Sequence, residues 1–112
     1  MKIKMLILLS VLLLQISNVL AADKFSICLA GGYYSGVENK FLSGLAHYMA
    51  NKQNVLIDPE CTSNWKAGER VARKYTETGK LSNEFERTVV KRATEFSDQV
   101  YSKLSEGIKF DE

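Results

Sequence analysis

The chain of 112 residues contains one histidine, two cysteines and one proline, and these shortages exclude several kinds of site. One imidazole and two thiols cannot form a tetrahedral zinc site without carboxylates, so we predict neither a metal nor a cofactor. The glycine cluster at positions 31, 32 and 36 does not form a phosphate-binding loop, because no strand precedes it and the characteristic lysine of such a loop is missing. Beyond the N-terminus, no apolar run approaches the about 20 residues that a membrane-spanning helix needs.

The N-terminus has the charged, apolar and small-residue order of a secretory signal peptide. Lys2 and Lys4 precede an apolar run over residues 5–14, and Ala21 supplies the small side chain that signal peptidase requires before the cut. We therefore predict that residues 1–21 are a signal peptide cleaved after Ala21. An uncleaved N-terminal anchor is the alternative interpretation.

Export determines the chemistry of residues 22–112, which we predict to be a single periplasmic domain. Loss of Lys2 and Lys4 lowers the 15 basic residues to 13, which equals the number of acidic residues. A domain without net charge does not attract nucleic acid or anionic lipid electrostatically, so we predict no nucleic-acid partner and no stable membrane insertion after cleavage. In an oxidising compartment Cys28 and Cys61 are expected to form a disulfide, which stabilises a fold by about 3 to 4 kcal/mol.

Apolar residues recur at helical spacing throughout the predicted domain, which indicates an all-α fold with three main helices. The first helix has the apolar stripe Leu29, Tyr33, Val37, Phe41, Leu45, Tyr48 and Met49. Glycines at positions 31, 32, 36 and 44 predict either a close helix–helix approach or a break in this helix. The disulfide favours a break or a returning segment, because an unbroken helix from Cys28 to Ala50 rises by about 33 Å.

The second helix is predicted to begin at Asp58 and Pro59, which are suited to the N-cap and to the first helical position. Gly79 is its predicted end. One face of this helix contains Cys61, Trp65, Gly68, Ala72 and Tyr75.

The third helix is predicted to begin near Asn83, which lies three residues before Glu86 at the spacing of a capping box. Its apolar stripe consists of Phe85, Val89, Ala93, Phe96, Val100 and Leu104. We predict that Gly107 ends this helix and that residues 108–112 are frayed.

No arrangement of residues indicates catalysis, and we predict that the protein is not an enzyme. Ser43 and His47 lie one helical turn apart, but such a pair is typical of a solvated helix surface. A carboxylate pair for glycoside cleavage could be sought in Glu84 and Glu86, but their spacing in the sequence does not give the distance between the carboxyl groups that this mechanism requires. Carboxylates at the start of a helix are explained by the positive end of the helix dipole.

Four residues are candidates for binding a protein partner. Tyr34 lies off the apolar stripe, and Trp65 is large enough to remain partly exposed. Arg70 and Arg73 belong to a basic stretch that is either a solvated face or a surface for an acidic partner. Tyrosine, tryptophan and arginine are the residue types that dominate protein interfaces.

One set of residues resembles a known family. The set is Cys28, Gly32-Tyr33, Gly36-Val37, a long interval to Cys61, and then Tyr75, Ala93 and Phe96 on two further helices. This arrangement resembles the Rap/Tai superfamily of periplasmic immunity proteins. The resemblance implies a small helical protein, often a homodimer, that binds a toxin delivered by a type VI secretion system, commonly a peptidoglycan amidase, and occludes its active site.

Three other functions remain open. The stretch from Asp58 to Cys61, together with Gly68, Ala72 and Tyr75, also resembles the periplasmic domain of phage rapid-lysis antiholins, which bind a holin. An accessory protein of plasmid transfer or exclusion fits a small exported helical domain equally well. A periplasmic acid chaperone is the third alternative, and it predicts dissociation at low pH.

Overall fold

The computed structural model describes the backbone of residues 25–111 and the side chains of residues 25–106. These residues form four α-helices and no strand: α1 (Ser26–Gly36), α2 (Lys40–Lys52), α3 (Pro59–Thr78) and α4 (Glu84–Asp111). The all-α prediction is confirmed, whereas the predicted count of three main helices is wrong. The predicted signal peptide, residues 1–21, lies outside the described residues.

The fourth helix arises because the first predicted helix breaks after Gly36. Asn39 then starts α2 as its N-cap, and its side chain accepts a hydrogen bond from the backbone N–H of Leu42 at 3.0 Å. This cap was not predicted from the sequence. After the turn α2 runs back along α1, so that Ala46 lies beside Gly31.

The predicted disulfide is confirmed, with the sulfur atoms of Cys28 and Cys61 2.11 Å apart and their Cα atoms 5.3 Å apart. It joins the first turn of α1 to the first turn of α3, and both cysteines are buried. From the disulfide onward, the contacts between the two helices move toward the C-terminus of both. About two turns after Cys28, Gly36 of α1 lies beside Ala72 of α3. α1 and α3 are therefore parallel.

Where α1 and α3 cross, their backbones are too close for side chains. An added Cβ at Gly32 would overlap the carbonyl oxygen of Trp65. On the facing helix, a Cβ at Gly68 would overlap the carbonyl oxygen of Leu29. Glycine is therefore required at both positions. Of the two explanations left open for the glycines, the close approach applies at Gly32 and also at Gly36, where an added Cβ would lie 2.7 Å from the Cβ of Ala72. The helix breaks after Gly36, and the left-handed φ of 60° in the turn belongs to Glu38.

The predicted boundaries of α3 are confirmed. Asp58 is the N-cap, and its carboxylate accepts a hydrogen bond from the backbone N–H of Glu60 at 2.9 Å. Pro59 is the first helical residue, where its missing N–H costs nothing. Gly79 ends the helix with a left-handed φ of 68°, a conformation that favours glycine.

The start of α4 is held by a variant of the predicted capping box. The Asn83 side chain accepts a hydrogen bond from the backbone N–H of Glu86 at 2.9 Å, as expected. The Glu86 carboxylate accepts in return from the N–H of Ser82 at 2.6 Å. It also accepts from the ammonium of Lys74 at 2.9 Å, which ties the start of α4 to α3.

The end of α4 differs from the prediction. The helix continues to Asp111, so the expected stop at Gly107 is wrong, while the expected fraying of residues 108–112 stays a prediction. A glycine inside a helix costs about 1 kcal/mol relative to alanine, which is too little to end a long helix that is otherwise favourable.

The core surrounds α1, which packs against all three other helices. The larger cluster of buried residues comprises Phe25, Ile27, Cys28, Ala30, Leu42, Ala46, Met49, Ala50, Val55, Cys61, Phe96 and Val100. A smaller cluster comprises Leu29, Ala67, Val71 and Val89. Phe41, Tyr48 and Phe85 were expected on buried stripes, but they are 48, 44 and 51 % exposed. The break after Gly36 explains the first two, because α2 does not continue the buried face of α1.

Candidate functional site

Exposed aromatic side chains gather on the outer side of α2. Phe41 and Tyr48 are seven positions apart, which is about two helical turns, so they lie on the same side of the helix. The ring centroid of Tyr101 on α4 is 6.1 Å from that of Phe41, and Tyr101 is 50 % exposed. Half-buried Leu45 lies between Phe41 and Tyr48 along the helix. These four residues, Phe41, Leu45, Tyr48 and Tyr101, are called the aromatic face below.

Gly44 creates a gap in this face. An added Cβ at Gly44 would meet no heavy atom within 4 Å, in contrast to one at Gly32 or Gly68. Glycine in an exposed helix interior costs about 1 kcal/mol relative to alanine, and no contact among the described residues offsets that cost here. The result is a notch on the surface of α2, between the positions of Phe41 and Tyr48.

The notch has basic surroundings on α2. Residues 39–57 contain no aspartate or glutamate. Lys40 and Lys52 lie in the first and last turns of α2, and the Lys52 ammonium is 5.9 Å from the centroid of the Tyr48 ring. Neither lysine forms an ion pair within the described part of the chain. The aromatic face therefore has an unpaired lysine at each end of α2, and the nearest carboxylates in the sequence are Glu38 and Asp58, just outside this stretch.

A second surface feature is an open groove of about 260 Å³ near the disulfide. Trp65 forms one wall, and its ring packs over Gly31 of α1. The imidazole of His47 stands edge-on to Trp65, with ring centroids 6.1 Å apart and an interplanar angle of 89°. The groove is lined by His47, Leu56, Cys61, Thr62, Trp65, Lys66 and Glu69.

Three of the four predicted partner-binding residues lie along α3, beginning at this groove. Trp65 lines the groove, and Arg70 and Arg73 follow on the next turns of the helix with exposed side chains. Arg73 pairs with the Glu69 carboxylate at 3.5 Å, and that carboxylate also accepts a hydrogen bond from the Ser35 hydroxyl at 3.3 Å. Glu69 thus neutralises part of the predicted basic stretch.

Tyr34, the fourth predicted residue, lies away from the groove. It is two positions from Gly32 and therefore about 200° around α1 from the crossing with α3. Its hydroxyl donates a hydrogen bond to the carbonyl oxygen of Ala93 at 2.7 Å, and its ring lies 6.5 Å from that of Phe96. Burial raises the pKa of the Tyr34 phenol above its ordinary value. In this structure Tyr34 holds α4 against α1.

The residues weighed as catalytic pairs have other partners. The Ser43 hydroxyl donates to the carbonyl oxygen of Lys40 at 3.4 Å, while His47 packs against Trp65. The Glu86 carboxylate is engaged at the start of α4, where the Ser82 N–H and the Lys74 ammonium hold the pKa of Glu86 below its ordinary value.

The aromatic face was not predicted from the sequence, in which Phe41 and Tyr48 continue the apolar stripe of the first predicted helix. Two signals in the sequence point toward it: a glycine at position 44 in a helical segment, and the lack of acidic residues over 39–57.

Among the described residues, no three histidine, cysteine, aspartate or glutamate side chains come together as a metal-binding group. Within the same part of the chain, no helix has the length and apolar character needed to cross a membrane. No family model, curated protein or solved structure matches the chain.

Proposed function

We propose that the protein is a periplasmic, non-enzymatic binding protein that inhibits a toxin or a cell-wall hydrolase. The observation that carries this proposal is the aromatic face on α2. Side chains of this size normally contribute to a core, and here Phe41, Tyr48 and Tyr101 present their rings to solvent. Exposed aromatic clusters of this kind mark protein contact sites, because their burial in a complex is favourable.

The architecture supports a rigid binder. The Cys28–Cys61 disulfide and the glycine crossing hold α1 and α3 together, and α2 packs on this pair through Leu42, Ala46 and Met49. A surface on a rigid support loses little conformational entropy on binding, which favours affinity. The disulfide also fits the oxidising compartment that the proposed signal peptide implies.

The resemblance to the Rap/Tai superfamily gives this proposal its context. It suggests that the partner is a toxin from a competing cell, commonly a peptidoglycan amidase, and that binding blocks the active site of that toxin. It also suggests a homodimer as the binding form. A neighbouring gene for a secreted hydrolase favours this function, whereas neighbouring lysis or conjugation genes favour the antiholin or the transfer protein.

The test is an inhibition assay on the exported protein. The full chain is expressed with its N-terminus and the protein is purified from the periplasm. It is then titrated into peptidoglycan digestion by a hydrolase encoded beside its gene. We expect inhibition that is complete near equimolar protein. Turnover of a substrate by the protein itself, abolished by His47→Ala, would contradict the proposal.

A matched pair of variants connects this inhibition to the aromatic face. Phe41→Ala removes a half-exposed ring from the face, and Phe85→Ala removes a ring of similar exposure from the first turn of α4. We expect the first substitution to weaken inhibition and the second to leave it unchanged.

A further inference from the structure

The notch at Gly44 is a feature that folding does not explain. The glycines at the α1–α3 crossing are required by the packing of this protein, whereas a side chain at Gly44 would enter open space. A helix-destabilising residue without an internal contact is explained if the space above it is used by another molecule.

The walls and ends of the notch indicate what that molecule presents. Phe41 and Tyr48 flank the notch with aromatic rings, which favour an apolar side chain between them. Lys40 lies about one turn before Gly44 and Lys52 about two turns after it, and neither forms an ion pair within the described residues. Lysines in these positions favour carboxylates on either side of the inserted apolar group.

We propose that the aromatic face binds a protein segment that inserts an apolar side chain into the notch at Gly44 and places carboxylates beside Lys40 and Lys52. This inference rests on the proposed function in that it describes the contact segment of the inhibited partner. It adds the chemistry of that segment, which the proposed function leaves open.

A protein segment fits this surface better than an anionic membrane does. A membrane surface is contacted through a broad apolar face, whereas Gly44 leaves open space between the positions of Phe41 and Tyr48. Across the face, α4 contributes Asp98 one turn before Tyr101, and a carboxylate there repels an anionic lipid surface. A peptide, in contrast, can align its acidic residues with α2 alone.

The experiment follows backbone amide chemical shifts of the exported, oxidised protein as a synthetic helical peptide is added. The peptide has about 18 residues, long enough to form a helix alone, with leucines along one side and glutamates beside them. Two control peptides keep the leucines: one replaces the glutamates with lysines, and one rearranges the sequence so that the leucines no longer share a side. We expect shifts on α2 and around Tyr101 with the acidic peptide alone.

Variants localise the binding. Gly44→Leu fills the notch where the structure has open space, so we expect it to retain the fold and to weaken binding by about tenfold or more. We expect a similar loss from Phe41→Ala and from the double charge reversal Lys40→Glu with Lys52→Glu. Phe85→Ala is the matched control and leaves binding unchanged. The circular dichroism spectrum confirms the fold of each variant.

Three results would overturn the proposal: no binding of the acidic peptide, binding of the acidic and basic peptides with equal affinity, or unchanged affinity in Gly44→Leu. Binding to phosphatidylglycerol vesicles that depends on Phe41, without peptide binding, would overturn it in favour of a lipid surface. Its failure is distinguishable from that of the proposed function. Hydrolase inhibition without peptide binding would contradict the proposed binding surface and support the proposed function. Peptide binding without hydrolase inhibition would support the binding surface and contradict the proposed function.

Discussion

Replacement of one glycine by alanine has opposite consequences at two positions of this fold. Gly32 lies at the crossing of α1 and α3, where an added Cβ would overlap the Trp65 carbonyl oxygen and lie 2.7 Å from the carbonyl carbon. Gly44 lies on the outside of α2, where the same atom meets nothing within 4 Å. The chemical change and the gain in helix propensity are identical, so the difference between the two variants measures the crossing alone.

The magnitudes follow from these distances. Gly44→Ala recovers the cost of an exposed helical glycine and is expected to stabilise the protein by about 0.5 to 1 kcal/mol. Carbon atoms in contact lie about 3.5 to 4.0 Å apart, so Gly32→Ala forces the helices about 1 Å apart. Overpacking of this kind costs about 3 kcal/mol, of which the propensity gain returns about 1 kcal/mol. The two variants should therefore differ by about 3 kcal/mol in unfolding free energy.

Urea denaturation followed by circular dichroism measures this difference. In thermal unfolding it corresponds to midpoints at least about 12 °C apart, since 1 kcal/mol shifts a domain of this size by about 4 to 8 °C. Gly68→Ala provides an independent repeat on the facing helix, because its Cβ would overlap the Leu29 carbonyl oxygen. If Gly32→Ala is as stable as Gly44→Ala, the close backbone approach of α1 and α3 is refuted.

Three further predictions concern stability. Replacing both cysteines by alanine should lower the unfolding free energy by about 3 to 4 kcal/mol, and urea denaturation should give the same loss on reduction of the native protein; an unchanged midpoint would exclude the disulfide. Tyr34→Phe removes the hydroxyl that donates to Ala93 and should cost about 1 kcal/mol, with the chemical shift of the Ala93 carbonyl as a local readout. Because the pKa of Glu86 is lowered in the folded protein, its carboxylate contributes to the free energy of unfolding above the ordinary glutamate pKa. This contribution is lost as the pH falls through the lower pKa of the folded state. Glu86→Gln should therefore destabilise the protein at pH 7, and this loss should shrink as the pH falls below the ordinary glutamate range, whereas Glu84→Gln at the exposed neighbour should have little effect throughout.

The boundaries of α3 were predictable because helix caps are local. Asp58, Pro59 and Gly79 each act within a few residues of their own position, and the structure confirms all three. The disulfide was predictable for a different reason: the chain has two cysteines, and the predicted export implies an oxidising compartment in which they pair with each other.

The break after Gly36 was only partly predictable. The sequence offered several glycines as break points, but the turn follows Gly36 at Val37 and Glu38, and its left-handed φ of 60° belongs to Glu38, which is not a glycine. Periodicity also shows which residues share a side of a helix without showing what covers that side. For that reason Phe41 and Tyr48 were assigned to the apolar stripe of the first helix although both are exposed.

The residues of the candidate site were also only partly predictable from the sequence. Trp65 was identified because a large aromatic residue on a helix is rarely fully covered, and it does line a groove. Tyr34 was singled out because it lies off the stripe, but the stripe of α1 was defined without α4, against which Tyr34 packs. The notch at Gly44 required the structure, because only the structure distinguishes a glycine in open space from one at a crossing.

The central claim is that a protein partner covers the aromatic face. Isothermal titration of a cell-wall hydrolase that the protein is found to inhibit, with the native protein and with Gly44→Leu, tests it most directly. We expect the native protein to bind one partner per chain and Gly44→Leu to bind at least about tenfold more weakly. Equal affinities for both proteins would contradict it.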